Sequence, residues 1–397
     1  MSKIYLNECG IICALGEGQA QVKARLYAGQ AGVSATSRWS EGRELALGAV
    51  PGDLPSVDHL PAHLRSRNNA LALAAVAQIR PAIQAAVARY GASRVGVVLG
   101  TSTSGIGETE QALGHHVANG KLPEQFSYRV QEMGSPAELL AMELGLEGPA
   151  YVHSTACSSA AKAMASAARM IRMGLCDAVI TGGADSLCAF TVAGFSSLES
   201  VSAGPCNPMS ANRRGINIGE GAALFLMEAA PAGEQSVELM GWGESSDGHH
   251  ISAPDPEGAG ARLAFEQALS RAGVEAKAID YINMHGTATP QNDAMESRVI
   301  DALFGNEVPV SSTKPFTGHT LGAAAAIEAA LCWLAMQDDN AEGRLPAHLW
   351  DGAIDPALPA LNLVSPGAAL GRPLRRVLSS SFAFGGSNAV LLLGRPE

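Results

Sequence analysis

The sequence predicts an α/β fold made of two similar halves, and three observations carry this prediction. Short apolar runs that are rich in β-branched residues end in glycine or small polar residues, as strands buried on both faces do. Alanine-rich segments with helical periodicity lie between these runs, and strands alternating with helices indicate an α/β architecture. The same order of elements then recurs in the second part of the chain, which predicts a duplication.

The individual elements follow from apolar runs and from helix stop signals. The predicted strands are 94–100, 178–183, 279–284, 377–381 and 389–393. The predicted helices are 69–79, 158–173, 261–272 and 321–336. In the first helix Leu71, Ala75 and Ile79 recur at every fourth position, and Pro81 should kink or end it. Gly174 and Gly273 should end the second and third helices.

The duplication is carried by three pairs of similar segments. They are VGVVLGTST at 95–103 with DYINMHGTAT at 280–289, ACSSAAKAMASAARMI at 156–171 with GHTLGAAAAIEAALCW at 318–333, and VITGG at 179–183 with LSSSFAFGG at 378–386. This pattern divides the chain into halves 1–235 and 236–397. It also places Cys157 and His319 at equivalent helix N-termini.

Composition restricts the class of protein. Of 397 residues, 47% are hydrophobic and 16% charged, which indicates a large buried core, and the formal net charge of −11 argues against nucleic acid as a partner. No run of 18 apolar residues occurs, and the first residues lack the layout of a signal peptide, so no membrane segment is expected. Seven scattered cysteines without CxxC or metal-ligand spacing predict a reduced, cytoplasmic protein without a metal.

One cysteine is a candidate nucleophile. Cys157 lies in STACSSAAKA at the start of a predicted helix, where free backbone N–H groups and the helix dipole favour a thiolate. Small neighbouring residues leave space for a substrate. An isolated cysteine is more often inert, which is the interpretation for Cys176, Cys188 and Cys332.

Two histidines and a lysine set Cys157 apart from the other cysteines. His285 follows an apolar strand, a frequent position for active-site residues in α/β folds. His319 lies at the mouth of the last long helix, and Lys314 precedes it by five residues in a small, polar turn. A lone histidine is more often structural, but two histidines flanked by glycine and threonine at element ends indicate catalysis.

Five segments together resemble one enzyme family. They are TACSS around Cys157, HGTATPQND around His285, STKPFTGHTLGAAAAIE around His319, SFAFGGSNAV near the end, and NPMSANRRGINIGEGAALFLMEAA at 207–230. In order and spacing they are similar to the motifs of β-ketoacyl-acyl-carrier-protein synthases, in the elongating class related to synthases I and II. The resemblance extends over nearly the whole chain. The resemblance implies a thiolase fold, with two βαβαβ halves in five α-β-α-β-α layers, and a dimer.

The resemblance also implies an acyltransferase reaction. Cys157 would hold an acyl chain, and its backbone N–H with that of Phe384 would form an oxyanion hole. Malonyl bound to acyl carrier protein would lose carbon dioxide, and His285 and His319 would donate hydrogen bonds to the enolate. The expected reaction is decarboxylative Claisen condensation, which needs no cofactor.

Further positions carry roles implied by the same resemblance. Lys314 would support the charge balance with Glu328 as its ion partner, and Phe384 would gate the acyl-cysteine. The substrate-binding candidates are Thr287 and Thr289 for the phosphopantetheine arm, Ile106 and Glu108 for the acyl pocket, and Asn388. Ala383 stands where the family usually has glycine, which questions the mobility of the gate. Glu108 stands where smaller or apolar residues are usual, and it could equally face the surface or a dimer interface.

The family's partner is an acidic carrier protein, so a chain of net charge −11 should present a local basic patch. The candidates are Arg65, Arg67, Arg213 and Arg214. The segments RSRNN, GTSTSGIGE and IICALGEGQ look similar to synthases of aryl-polyene pathways, which work beside a chain-length-factor-like subunit. Both a homodimer and such a heterodimer stay open, as do ordinary fatty-acid elongation and a polyketide pathway.

Four other interpretations account for fewer of these residues. A thiolase-like transferase using coenzyme A would add a second cysteine near the C-terminus, where SFAFGGSN offers none. A non-condensing partner subunit would lack Cys157. A cysteine hydrolase needs one histidine and would leave the second histidine and Lys314 unexplained. A dinucleotide site at 100–107 is weak because the glycine spacing differs from GxGxxG.

Overall fold

The computed structural model describes residues 3–395. Its strands are β1 (Tyr5–Cys13), β2 (Gly16–Glu17), β3 (Ser34–Thr36), β4 (Leu45–Leu47), β5 (Val95–Gly100), β6 (Ala150–His153), β7 (Ala178–Asp185), β8 (Gly221–Glu228), β9 (Val237–Ser246), β10 (Tyr281–Asn283), β11 (Pro309–Ser311), β12 (Asn362–Leu363), β13 (Arg376–Ala383) and β14 (Ser387–Gly394). Its helices are α1 (Gln19–Tyr27), α2 (Arg67–Tyr90), α3 (Ile106–Asn119), α4 (Ser135–Leu144), α5 (Ser159–Arg172), α6 (Ala189–Ser197), α7 (Ala259–Ala272), α8 (Pro290–Phe304), α9 (Lys314–Thr317) and α10 (Ala324–Ala335).

The large mixed sheet repeats one strand order in both halves of the chain. The first half has the order β1-β8-β7-β5-β6, and the second has β9-β14-β13-β10-β11, with β12 added at the edge. In each half the last three strands of this order run parallel, and the strand before them runs antiparallel. A short antiparallel contact between β1 and β9 joins the halves. The chain passes from one half to the other between Glu228 and Val237, close to the predicted boundary.

Alternating side chains on β8 separate two hydrophobic layers. Leu224 and Leu226 belong to the cluster formed with α2 and α4 on the outer face. Phe225 and Met227 point the opposite way and join the central cluster with α5 and α10. Because successive side chains of a strand face opposite sides, one apolar strand can supply both layers.

The second half uses the same arrangement. On β14, Val390 and Leu392 pack with α7 and α8, whereas Leu391 and Leu393 face the central helices. The layers are therefore α2 and α4, the first half-sheet, α5 and α10, the second half-sheet, and α7 and α8. This five-layered α-β-α-β-α arrangement confirms the predicted fold class.

Helix α2 corrects one prediction, because it continues through Pro81 to Tyr90. Ala77, whose carbonyl loses its hydrogen-bond donor to Pro81, is exposed like Pro81 itself, so water can satisfy that carbonyl. Burial of the apolar face of α2 against β1 and β8 then outweighs the local defect. By length and composition alone α2 could cross a bilayer, but 56% of its most apolar window is buried inside this fold.

The contact between β9 and α7 makes a testable prediction about stability. A Cβ atom added at Gly243 would lie 1.7 Å from the carbonyl oxygen of Ala264 in α7, so Gly243→Ala must push the helix off the sheet. We expect it to lower the free energy of unfolding by about 1–3 kcal/mol, measured by urea denaturation. Gly114→Ala is the control, because Gly114 lies in α3 with no atom within 4 Å of the added Cβ, and we expect it to be neutral or slightly stabilising. Equal stability of both variants would contradict the close approach.

Candidate active site

The candidate nucleophile lies in a strained turn just before α5. Ala156 has a φ of 50°, a left-handed conformation that is unfavourable for alanine. The hydroxyl of Ser159 accepts a hydrogen bond from the N–H of Thr155 at 2.8 Å and donates one to the carbonyl of Ala156 at 2.6 Å. This first turn of α5 holds Cys157 at the helix N-terminus, as the sequence predicted.

Both candidate histidines are buried and are held by their backbones. His285 follows β10 and donates its backbone N–H to Glu296 Oε1 at 2.7 Å and to Ser380 Oγ at 3.1 Å. His319 follows α9 and donates its N–H to the carbonyl of Asn217 at 2.6 Å. The backbone of each histidine is therefore fixed by hydrogen bonds separate from those of its ring nitrogens.

These side chains meet at the interface of the two halves. The Nε2 atom of His319 lies 3.0 Å from Cys157 Sγ. The two imidazole rings lie 5.3 Å apart, centroid to centroid, and are nearly perpendicular. Lys314 Nζ lies 3.4 Å from His285 Nδ1 and donates to Glu328 Oε1 at 2.5 Å. The predicted set of five residues is thus brought together, with the lysine and glutamate as a buried ion pair.

Burial sets the protonation of the site. Desolvation, together with the positive charge of Lys314, holds the pKa of both His285 and His319 well below its usual value, so both are neutral. Burial also raises the pKa of the Cys157 thiol to about 12, against the opposing effect of Lys314 and of the backbone N–H of Phe384. Desolvation thus opposes the thiolate that the position at a helix N-terminus favours. The thiol proton has an acceptor within reach in Nε2 of His319.

Two backbone N–H groups converge on the sulfur. The N–H of Phe384 and that of Cys157 itself both lower the pKa of the thiol, so both stabilise negative charge at this position. Donors fixed in this way can also stabilise the oxyanion of a tetrahedral intermediate formed at the sulfur. Both groups predicted for an oxyanion hole are thus beside Cys157.

A cavity leads to the sulfur, and several predicted substrate contacts line it. Its walls include Cys157, Phe195, Ile216, Pro254, His285, Thr287, Thr289, His319, Phe384 and Asn388. The hydroxyls of Thr287 and Thr289 lie 2.9 Å apart and share a hydrogen bond. The amide of Asn388 donates to Asp247 Oδ1 at 2.6 Å, which fixes its orientation.

Phe384 closes one side of this cavity. Its ring packs against the ring of Phe195 with centroids 5.5 Å apart. The two following residues, Gly385 and Gly386, have φ of 80° and 72°, which only glycine adopts readily. Ala383 has a φ of −96°, an ordinary value, so alanine is unstrained there. The conformational freedom of this segment lies after Phe384, and the unusual Ala383 does not remove it.

The two acyl-pocket candidates do not line the cavity around Cys157. Ile106 begins α3 outside it. Glu108 Oε1 instead accepts the backbone N–H of Arg67 at 2.7 Å, at the start of α2. A carboxylate stabilises the positive end of a helix dipole there, which gives Glu108 a structural role in α2.

Two of the four arginine candidates are occupied by internal ion pairs. The pairs are Arg67 with Glu220 at 2.8 and 2.5 Å, and Arg213 with Asp355 at 2.5 Å. Their guanidinium groups are thus turned toward carboxylates of the same chain. Arg65 and Arg214 are exposed and stay candidates for contact with a carrier protein.

The sequence analysis missed two residues of the site. Glu296 accepts the backbone N–H of both His285 and Gly286 at 2.7 Å, and burial raises its pKa to about 7. The sequence feature that could have revealed Glu296 is an acidic residue on the buried face of α8, shortly after the histidine motif. Phe195, the partner of Phe384, gave no signal, because an aromatic residue in an apolar helix is usually ordinary core.

The thiol and imidazole groups of the site are also the types of ligand that bind a soft metal ion. Ligand atoms of Cys157, His285 and His319 all lie within 4.8 Å of one another, and a Cys-His-His set suits zinc. The ammonium group of Lys314 beside His285 would repel a cation, however. Chemistry without a metal or cofactor therefore stays the prediction.

Comparisons with known proteins fit this geometry. The chain matches the family models of the β-ketoacyl synthase N-terminal domain over residues 9–232 and of the C-terminal domain over residues 237–347. A ketosynthase from Xenorhabdus doucetiae, solved in complex with its chain length factor, is 44% identical with a TM-score of 0.93, covering 100% of this chain and 98% of that one.

Two curated relatives agree with these matches. The 3-oxoacyl-[acyl-carrier-protein] synthase 2 of Staphylococcus aureus is 33% identical over 77% of this chain and 76% of its own. Nodulation protein E of Rhizobium meliloti is 31% identical over 98% of both chains. Together with the thiolase-type layers, they confirm the family that the five motifs indicated. The chain belongs to the β-ketoacyl synthase family.

Proposed function

We propose that this chain is the condensing subunit of a carrier-dependent synthase, in which Cys157, His319, His285 and Lys314 carry out decarboxylative Claisen condensation. The observation that carries the assignment is the 3.0 Å contact between Cys157 Sγ and His319 Nε2, with a second neutral imidazole beside it. A hydrolase would need one imidazole. The second imidazole and the buried Lys314–Glu328 pair are accounted for by stabilisation of an enolate.

The first step is acyl transfer to Cys157. The thiol proton passes to Nε2 of His319 as the sulfur attacks the thioester carbonyl carbon. The resulting oxyanion accepts hydrogen bonds from the backbone N–H groups of Cys157 and Phe384. The bond to the phosphopantetheine sulfur then breaks, and that sulfur leaves with the proton held by His319.

The second step forms the carbon–carbon bond. Malonyl loses carbon dioxide, and the electron pair of the broken bond forms an enolate whose oxygen needs donors. The ammonium group of Lys314 is only a hydrogen-bond donor, so His285 Nδ1 beside it is the unprotonated acceptor. The ring proton of His285 therefore lies on Nε2. After the first carrier leaves, His319 takes up a proton on Nε2 from water and releases the one on Nδ1. His285 and His319 then both donate to the enolate oxygen from Nε2. The enolate carbon attacks the acyl thioester carbon, and the bond to Cys157 breaks. The thiolate released on Cys157 takes up a proton from water, which restores the thiol for the next cycle.

The substrate class follows from the relatives and from the cavity. The Staphylococcus aureus relative acts as a 3-oxoacyl-acyl-carrier-protein synthase, so we extend acyl-carrier-protein substrates to this chain. Thr287 and Thr289 line the cavity and offer hydroxyls to the amides of a phosphopantetheine arm. Arg65 and Arg214 offer exposed positive charge to an acidic carrier.

A non-identical partner is the quaternary arrangement that the comparisons favour. The similar Xenorhabdus doucetiae ketosynthase is bound to a chain length factor, and a second solved relative at 28% identity is an ishigamide ketosynthase and chain length factor. Together with the aryl-polyene-like segments, they support a cytoplasmic heterodimer in a polyketide or aryl-polyene pathway.

Replacement of the nucleophile is the direct test of the reaction. Cys157→Ala should reduce condensation to below a few per cent, since it removes the thiol that holds the acyl chain. Cys157→Gln should mimic the acylated cysteine and keep malonyl decarboxylation running. Intact-mass analysis after mixing with acyl and malonyl carrier proteins measures both. Cys176→Ala is the matched control, a buried cysteine beyond the far end of α5, and condensation by Cys157→Ala at the control rate would refute the assignment.

The two histidines should separate into different roles. His285→Ala should still acylate Cys157 but lose decarboxylation by about a hundredfold or more, because it removes an enolate donor. His319→Ala should lose both steps, since its Nε2 also accepts the thiol proton. Without that acceptor, acylation should become faster with rising pH, because the thiol pKa is raised to about 12. Equal acylation rates in both variants at neutral pH would contradict this division.

The partner proposal is tested by expression. Expressed with the chain-length-factor-like protein from its genomic neighbourhood, the chain should purify as a one-to-one complex and make products of defined length. Alone, it should be inactive or poorly active. A fully active homodimer whose product lengths do not change when the partner is added would contradict the heterodimer.

A further inference from the structure

A buried carboxylate outside the catalytic set accepts an unusual number of hydrogen bonds. Asp185, the last residue of β7, is fully buried. Its donors are Thr101 Oγ1 at 2.6 Å, Ser102 N at 2.8 Å, Ser102 Oγ at 2.6 Å, Thr103 N at 3.0 Å, Thr103 Oγ1 at 2.8 Å and Gly322 N at 2.5 Å. Burial raises the pKa of Asp185, and these hydrogen bonds oppose that shift because they stabilise the ionised carboxylate, which has acceptor sites only.

These donors come from both halves of the chain. The three hydroxyl-bearing residues directly follow β5 in the first half. Gly322 lies in the second half, three residues after His319 and two before α10. Asp185 therefore joins the segment after β5 to the segment that carries His319, and it stabilises the start of α10 as an anion at a helix N-terminus.

The end of β7 also lies between the first turns of the two central helices. A Cβ atom at Gly183 would lie 3.0 Å from the Cβ of Ala160 in α5 and 3.2 Å from the Cα of Ala323, just before α10. A Cβ atom at Gly322 would lie 2.7 Å from Asp185 Oδ2. Since α5 follows Cys157 and α10 follows His319, movement at this point changes the distance between the two.

We propose that Asp185 is a positioning residue, which sets the distance between the sulfur of Cys157 and Nε2 of His319 by holding the two halves together. The inference rests on the proposed function of His319 as proton acceptor. Asn cannot replace the carboxylate, because its NH₂ group would face hydroxyl and backbone donors. A shift of this contact of about 1 Å is enough to reduce proton transfer by about tenfold to a hundredfold.

The test is the reactivity of Cys157 itself, without any acyl substrate. The rate at which iodoacetamide alkylates Cys157 reports whether His319 accepts the thiol proton. It is measured by peptide mass analysis between about pH 6 and pH 10, a range that spans the ordinary pKa values of histidine and cysteine. Asp185→Asn should alkylate about tenfold more slowly at neutral pH and should show the pH profile of His319→Ala. Asp280→Asn is the matched control. Asp280 is a buried aspartate that accepts the backbone N–H of Arg375 and Arg376, and it should keep the wild-type profile.

A milder variant covers the case in which Asp185→Asn fails to fold. Ser102→Ala removes one hydroxyl that donates to Asp185 Oδ2 and should slow alkylation in the same direction, by a smaller factor. Ser236→Ala, a buried serine that bonds to Asn7, is its control and should leave the rate unchanged. Wild-type pH profiles in folded Asp185→Asn or Ser102→Ala would overturn the proposal. Absence of condensation by the wild-type chain together with its chain-length-factor-like partner would instead refute the proposed function, and the alkylation rates would still test the role of Asp185.

Discussion

The close packing of two alanine-rich helices between two half-sheets is the constraint on which the rest of this structure depends. Helices α5 and α10 form the middle layer, and all twelve residues of α10 are buried. Alanines on both helices let them pack closely against a sheet on each side, and alanine adds no loss of side-chain entropy. The abundance of alanine and glycine and the scarcity of aromatic residues in the sequence follow from this layer.

The electrostatics of the site follow from the same burial. Because α10 is wholly buried, Glu328 on it must be paired, and the ammonium group of Lys314 is its partner. Removing one member of a buried pair typically costs about 3–5 kcal/mol, so the lysine is fixed beside His285. The charge of Lys314 and the burial of the site keep both histidines neutral, and the same burial keeps the thiol of Cys157 protonated. Proton transfer within the site, and not a preformed thiolate, then generates the nucleophile.

Sequence patterns predicted the parts of the fold and the site that depend on local chemistry. Continuous apolar runs identified β5, β7, β10, β13 and β14, whereas β6, β8, β9, β11 and β12 were not predicted. Strand β1 was also missed, because Asn7 and Glu8 interrupt its apolar run. The buried side chain of Asn7 is satisfied by Glu228, whose carboxylate accepts a hydrogen bond from the Asn7 amide at 2.6 Å. Likewise, the carboxylates that pair with Arg67 and Arg213 lie more than 140 positions away, so motif reading could not detect that these arginines are occupied.

The duplication explains why the chemistry is divided as it is. Equivalent strand orders place two equivalent helix N-termini at one interface, and each half contributes one of them. The first half supplies the sulfur of Cys157, and the second supplies the imidazole of His319 at the matching position. Neither half contains both groups, so the 3.0 Å contact exists only when the halves are docked in one register. Any residue that fixes that register acts on the reaction, even where it does not touch the substrate.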